Sequence, residues 1–153
     1  MAEPLSFGRI EGAEHVLPLR VYWEDTDASG IVYYANYLRF VERGRSDLLR
    51  LLGINQQTLL AESGVALTVR SCNIDYFRPA RLDDEIEVRS RLTDLRGASM
   101  AALQSVWRDG VELARATIRI ACIDLRGRPR RLPEVIRKAL ARIPQSSIED
   151  QDG

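Results

Sequence analysis

The stretch Glu24-Asp25-Thr26-Asp27-Ala28-Ser29-Gly30-Ile31-Val32-Tyr33-Tyr34-Ala35-Asn36-Tyr37 decides how this chain is read. It leads from a strand-like segment, Leu19 to Trp23, through an acidic turn containing glycine into a long amphipathic helix. That helix is expected to start at Tyr33 or Tyr34 and to run to Leu52, with Gly53 as its stop. Tyr37, Val41, Gly44, Leu48 and Leu51 recur every three or four residues as one apolar stripe, widened by Phe40, Leu49 and Leu52. Gly44 within the stripe leaves room for the backbone to approach a sheet. A carboxylate near such a helix start lies where N–H groups lack intrahelical partners and the dipole favours negative charge. This pairing suits a carboxylate that attacks a carbonyl, or directs water at it, while N–H donors hold the developing oxyanion.

Outward from this stretch, His15 to Trp23 reads as a first strand, preceded by a loose arm over residues 1–14. Asn55 to Glu62 reads as a shorter helix, broken at Ser63-Gly64. Four runs rich in β-branched and apolar residues follow: Val65 to Tyr76, Glu85 to Leu95, Ser99 to Arg108 and Val111 to Asp124. Asp109-Gly110 is a two-residue hairpin turn and Arg96-Gly97 marks another reversal. Pro133 to Ile143 reads as a C-terminal helix, followed by a polar tail over residues 145–153. One strand, one long buried helix and four hairpin-linked strands give an α+β layout, an antiparallel sheet on a helix, in a single domain over residues 15–144.

Bulk properties narrow the function. The 153 residues suffice for one domain with a real core. The 22 basic and 22 acidic residues cancel, so no global field draws nucleic acid or an anionic membrane, and any anion site must be local. No apolar run reaches the length of a membrane span. Cys72 and Cys122 lie in apolar runs and form no short-spaced pair, which, without a signal-like N-terminus, leads to an expectation of buried, reduced thiols in a cytoplasmic protein. Two cysteines and one histidine leave little material for a zinc site.

The acidic turn admits two other readings. A calcium loop of the EF-hand kind needs a bidentate Glu at its twelfth position, where this chain has Asn36, and a helix before it, where this chain has a strand. An aspartyl phosphotransferase turn needs alternating strands and helices, and this chain is mostly hairpins. Against both stands a family resemblance. Val21 to Tyr37 resembles the signature of hotdog-fold acyl-CoA thioesterases, in particular the 4-hydroxybenzoyl-CoA thioesterase-like group and its bacterial Tol-Pal-associated branch. Phe40-Val41-Glu42-Arg43-Gly44-Arg45, Tyr76-Phe77-Arg78-Pro79-Ala80-Arg81-Leu82-Asp83-Asp84 and Arg96-Gly97-Ala98-Ser99 extend the likeness from about Val16 to Pro133.

The resemblance implies a hotdog fold, a five-stranded antiparallel sheet wrapped around a long central helix. It also implies hydrolysis of acyl-CoA to a carboxylic acid and free CoA, with no cofactor beyond the coenzyme A of the substrate. Within the turn it implies Asp27 as the catalytic carboxylate, nucleophile or general base, with Gly30 permitting the tight turn and the Tyr34 backbone N–H polarising the carbonyl. Asp25 is expected to bond structurally to the turn. Glu42 either orients the site or pairs with Arg39 or Arg45. Arg96 and Ser99 occupy the turn where related enzymes contact coenzyme A, or form a solvated hairpin. Arg126, Arg128, Arg130 and Arg131 either meet nucleotide phosphates or form a solvated turn. Where the Tol-Pal-associated branch commonly has His after the first tyrosine, this chain has Tyr34.

Elimination favours the carboxylate. The sole histidine, His15, precedes the first strand and is expected at the surface, so a serine or cysteine nucleophile lacks its usual base. The resemblance further implies pairing of protomers through sheet edges, a dimer or a dimer of dimers, with Val65 to Ile74 as the candidate edge. No nucleic acid partner and no membrane insertion are expected. A non-catalytic acyl-CoA or acyl-carrier binding module on the same fold is the alternative.

Overall fold

A computed structural model of the chain describes residues 6–144; the expected tail over residues 145–153 and the start of the arm lie outside the described residues. The strands are β1 (Arg9–Glu11), β2 (Glu14–Arg20), β3 (Val65–Tyr76), β4 (Glu85–Thr93), β5 (Ser99–Arg108) and β6 (Val111–Asp124). They form one antiparallel sheet in the order β1-β2-β4-β5-β6-β3. A 3₁₀ turn, Tyr34–Asn36, runs into α1 (Tyr37–Leu51), followed by α2 (Gln56–Ser63) and, after the sheet, α3 (Glu134–Ala141).

The apolar stripe of α1 works as its spacing requires. Tyr37, Phe40, Val41, Leu48 and Leu49 are buried in one core with Leu17 from β2, Ile86 and Val88 from β4, Met100 and Ala102 from β5 and Ile118 from β6. The sheet thus packs its inner face around the long helix, as the hotdog expectation has it. Gly44 marks the closest approach. A Cβ there would lie 2.7 Å from Val88 Cγ1 and 2.9 Å from Ser90 Oγ. Beside it the buried Gln104 amide donates to the Val41 carbonyl and to Ser90 Oγ, each at 2.8 Å, and accepts from the Arg45 guanidinium at 3.0 Å.

Several expectations need correction. The sheet has six strands rather than five, because Arg9–Glu11, within the segment expected as a loose arm, folds back as a hairpin on β2. The first strand ends at Arg20, and Trp23 stands in a short 3₁₀ turn, 81% exposed. Leu51, at the end of the stripe, is 39% exposed because the helix stops there, beyond its cover. Cys72 is exposed rather than buried, since β3 is the sheet's outer strand, with β6 alone beside it; Cys122 is buried. His15 is buried rather than at the surface, its Nε2 hydrogen-bonded to the Phe7 carbonyl of the folded-back arm. Burial holds that imidazole below its ordinary pKa.

Among the described residues no helix is long and apolar enough to cross a membrane.

Gly44→Val should destabilise the fold by about 2 kcal/mol or more, because overpacking adds to the cost of a β-branched residue in mid-helix. Chemical denaturation of the two proteins measures the difference; equal midpoints would mean that α1 does not seat on Val88 and Ser90 as described.

Candidate active site

The acidic turn folds as a small hairpin. Thr26 and Val32 bridge antiparallel, the Asp27 N–H donates to the Ile31 carbonyl at 2.9 Å, and the Gly30 N–H returns to the Asp27 carbonyl at 3.1 Å. Gly30 closes it at φ +78°, a conformation costly for any residue with a Cβ. Asp27 therefore sits at an exposed hairpin tip, where its Oδ1 accepts the Ser29 N–H at 2.7 Å. That bond fixes the carboxylate's direction and leaves its second oxygen outside this turn contact.

Asp25 does the structural work expected of it. Its carboxylate is buried, accepting the Tyr22 N–H at 2.8 Å and the Asn36 side-chain amide at 2.9 Å, while its carbonyl accepts the Tyr33 N–H at 3.1 Å. One residue thereby ties the end of the first strand to the start of the helix. Asp27 and Tyr33 both line a cleft of about 410 Å³, together with Glu24, Thr26, Ala35, Asn36 and Arg39.

Tyr34 is the first residue of the 3₁₀ turn, so its N–H has no acceptor within that turn. This N–H belongs to the Tyr33–Tyr34 peptide, and the residues on either side of Tyr34, Tyr33 and Ala35, both line the Asp27 cleft. The Tyr34 side chain lies in an adjoining hollow of about 350 Å³ with Ile31, Val32, Tyr37, Tyr76 and Phe77. Its ring meets that of Tyr33 at 4.8 Å, tilted by 55°, and the hydrogen bond between the two phenols raises the Tyr33 pKa.

Glu42 stands elsewhere on α1. Its Oε1 accepts the Ser46 hydroxyl at 2.9 Å, and its charge also acts on the Arg45 guanidinium. Glu42, Arg45, Ser46 and Leu49 form one wall of a cavity of about 230 Å³, closed by α2, β3 and the inner sheet residues Leu92, Met100 and Ile120. Burial lowers the Arg45 pKa. Arg39, Glu42, Ser46 and Leu49 recur at alternating steps of three and four, so one face of α1 runs from the Asp27 cleft into this cavity.

Arg96 and Ser99 are not brought to Asp27 within one chain. The hairpin base pairs with the start of β4, through the Val21 N–H and the Asp84 carbonyl. Arg96 follows the other end of that nine-residue strand, which is roughly 30 Å long. There the Arg96 side chain pairs with Asp94, and its N–H donates to the Ser99 carbonyl at 2.8 Å. Arg128 and Arg130 ion-pair with Asp124 at the same end of the sheet, as a braced turn. The backbone N–H of Arg128, foremost, holds the Asp124 carboxyl down at about 2.

The sequence reading missed Arg39 as a cleft residue and Tyr76 as a neighbour of Tyr34. Arg39 was legible only as a charge on an exposed helix face; nothing local to Tyr76 announces a contact 42 residues away.

Residues 21–140 match the model of the thioesterase-like superfamily. The chain belongs to that superfamily. It is 42% identical over 123 residues to an acyl-CoA thioesterase, YbgC, of Haemophilus influenzae, covering 80% of this chain and 90% of that protein. It is 43% identical over 121 residues to an acyl-CoA thioester hydrolase, YbgC, of Escherichia coli, covering 78% of this chain and 90% of the other. Among solved structures, a probable thioesterase from Bartonella henselae superposes with a TM-score of 0.75 at 40% identity, over 79% of this chain and all of that one. A 1,4-dihydroxy-2-naphthoyl-CoA thioesterase from Synechocystis shares the fold at a TM-score of 0.80 and 23% identity, over 87% of this chain and 99% of that one. This hotdog-fold thioesterase thus carries its acidic hairpin on the scaffold its superfamily shares.

Asp25→Ala should cost about 2 kcal/mol, by leaving the Tyr22 N–H and the Asn36 amide without their acceptor. Asp27→Asn should leave the melting temperature nearly unchanged, because an amide oxygen still accepts the Ser29 N–H. A thermal melt of both variants checks the division of labour; the reverse ranking would refute it.

Proposed function

We propose that the chain hydrolyses acyl-CoA thioesters, releasing a carboxylic acid and free CoA. The observation that carries this reading is the Asp27 carboxylate at the tip of a braced hairpin, in a cleft also lined by Tyr33 and Ala35, the two neighbours of Tyr34 at the helix start. The likeness to acyl-CoA thioesterases at 42–43% identity supports the choice of substrate class.

The thioester carbonyl oxygen takes the Tyr34 N–H, which lies at a helix start and favours developing negative charge. The Asp27 carboxylate then acts in one of two ways. As nucleophile it attacks the carbonyl carbon, the C–S bond breaks to expel CoA thiolate, and water hydrolyses the resulting mixed anhydride. As general base it takes a proton from water as that water attacks the same carbon; the tetrahedral intermediate then breaks its C–S bond, and the departing CoA thiolate takes up the proton held by Asp27. Both routes consume one water, return Asp27 to its carboxylate and need no metal or redox cofactor. The acyl chain follows the Arg39–Glu42–Ser46 face of α1 toward the Leu49, Leu67, Leu92, Met100 and Ile120 side of the cavity, and the cation of Arg39 faces the anionic parts of substrate or product.

The same reading extends to assembly. β3 is a twelve-residue strand at the sheet edge, its residues 68–73 are exposed, and Arg70 is the only charge between Val65 and Ile74. Pairing of two β3 strands would satisfy their open N–H and C=O groups and cover Val69. We therefore propose a symmetric homodimer as the minimum unit, with dimers pairing further into a tetramer. Arg96 and Ser99, distant from Asp27 in one chain, would then meet coenzyme A from a neighbouring protomer. The coenzyme A substrate and two unpaired cysteines favour a cytoplasmic location.

Thiol release from a panel of short, long and aromatic acyl-CoAs should be robust for the wild type. Asp27→Asn should lower it by at least about 10²-fold, with acyl-CoA binding retained. Activity within about threefold of wild type would sink the role of Asp27, and no release from any acyl-CoA would favour a binding module instead.

Light scattering should give the mass of two or four chains at assay concentrations. A fully active monomer would remove the shared site.

A further inference from the structure

One phenol outside the acidic turn reaches the residue that carries the donor. Tyr76 is the last residue of β3, paired with Ala114 of β6, and its O–H donates to the Tyr34 carbonyl at 2.9 Å. Its ring meets Tyr34 edge-on at 6.4 Å and Tyr37 at 5.3 Å. The strand end behind it is fixed: the Phe77 and Arg78 N–H groups both donate to the Leu113 carbonyl, and the Arg115 guanidinium lies over the Phe77 ring.

The segment after Tyr76 laces the rest of the turn to the sheet. The Val32 N–H donates to the Ala80 carbonyl at 2.8 Å, the Ala80 N–H donates to the Tyr37 hydroxyl at 3.0 Å, and the Leu82 N–H donates to the Gly30 carbonyl at 3.1 Å. These contacts hold the flanks of the 3₁₀ turn. The Tyr76 hydroxyl bonds to the backbone of Tyr34 itself, whereas the Tyr33 phenol meets only the Tyr34 side chain. Burial, foremost, and the neighbouring Cys72, Tyr34 and Tyr37 raise the Tyr76 pKa, so the phenol keeps its proton at neutral pH.

A helix start is where backbone geometry is least determined by its own hydrogen bonds, because its first N–H groups have no intrahelical partners. A donor that must meet an oxyanion at hydrogen-bond distance needs outside support, and a small misplacement of such a group is costly in rate. The Tyr34 phenol does not provide that support: it is bonded to Tyr33, in the same turn, and its residue is 63% exposed. The support comes from the sheet.

We infer that Tyr76 is a positioning residue for thioester hydrolysis, its hydroxyl anchoring the Tyr34 carbonyl so that the Tyr34 N–H is held toward the substrate carbonyl. The inference rests on the reading of Tyr34 N–H as the carbonyl donor. Tyr76 touches no reacting atom; it acts through the peptide geometry of the 3₁₀ turn. It also links the site to β3, so the strand proposed to join protomers ends at the residue that braces the donor.

Tyr76→Phe removes the hydroxyl and keeps the ring packing. It should lower kcat about tenfold, as expected for loss of a positioning contact, while KM and the melting temperature stay close to wild type. A second measurement reads the donor directly. A thioester bound to the inert Asp27→Asn protein should show an infrared carbonyl band shifted to lower frequency than in water. Adding Tyr76→Phe to that protein should bring the band back part of the way. An unchanged kcat and an unchanged band would overturn the inference. So would a loss confined to KM or to the melting temperature, which would mark the contact as merely structural. Should Asp27→Asn itself hydrolyse at the wild-type rate, the role of Asp27 fails, while the kcat of Tyr76→Phe still tests the brace on its own.

Discussion

The close seating of α1 on the sheet at Gly44 is the constraint from which the rest of the structure follows. With no side chain at that position, Val88 and Ser90 come within contact distance of the helix backbone. A buried amide, Gln104, can then bond at once to the helix carbonyl of Val41 and to Ser90. A polar group so deeply buried would be costly if unpaired. Its hydrogen bonds therefore fix the helix in rotation and along its axis, beyond what apolar packing alone specifies. The polar residues Arg39, Glu42 and Ser46 of α1 are turned by the same seating toward the cleft and the cavity.

Once the helix is placed, its start must be tied to the chain that precedes it. Asp25 does this from the first strand, bonding to Tyr22 and Asn36, and Tyr76 does it from the sheet. The two aspartates of the turn, separated by one residue, thereby divide their tasks by burial. Asp25 spends its oxygens on internal donors, whereas Asp27, two residues on at the exposed tip, keeps one oxygen outside the turn's own contacts. The local alternation of buried and exposed carboxylate is what allows a rigid turn to carry a chemically available group.

Much of the chain was legible before folding was considered. The 3.6-residue period of α1, the four later strands and the Asp109-Gly110 hairpin are local patterns, set by side-chain size and backbone preference over a few residues. The position of Asp27 between Asp25 and Gly30 was also readable, because a turn's hydrogen bonds are made within the turn. The arm was misread because β1 is three residues long and owes its extension to β2 rather than to its own composition. His15 was misread for a related reason: the arm that buries it is not part of any local pattern.

By itself the sequence determined the long helix, the four later strands and the acidic turn, all matters of contacts a few residues long. The tertiary structure alone decided that β3 pairs with β6 rather than with the strand that follows it, leaving a twelve-residue edge open. It alone decided that Tyr76 reaches Tyr34 and that Arg96 and Ser99 stand at the far end of the sheet from Asp27. Such pairings join residues tens of positions apart. Strand order is chosen by which arrangement buries the inner face of every strand against one helix, a property of the whole sheet that no window of sequence contains.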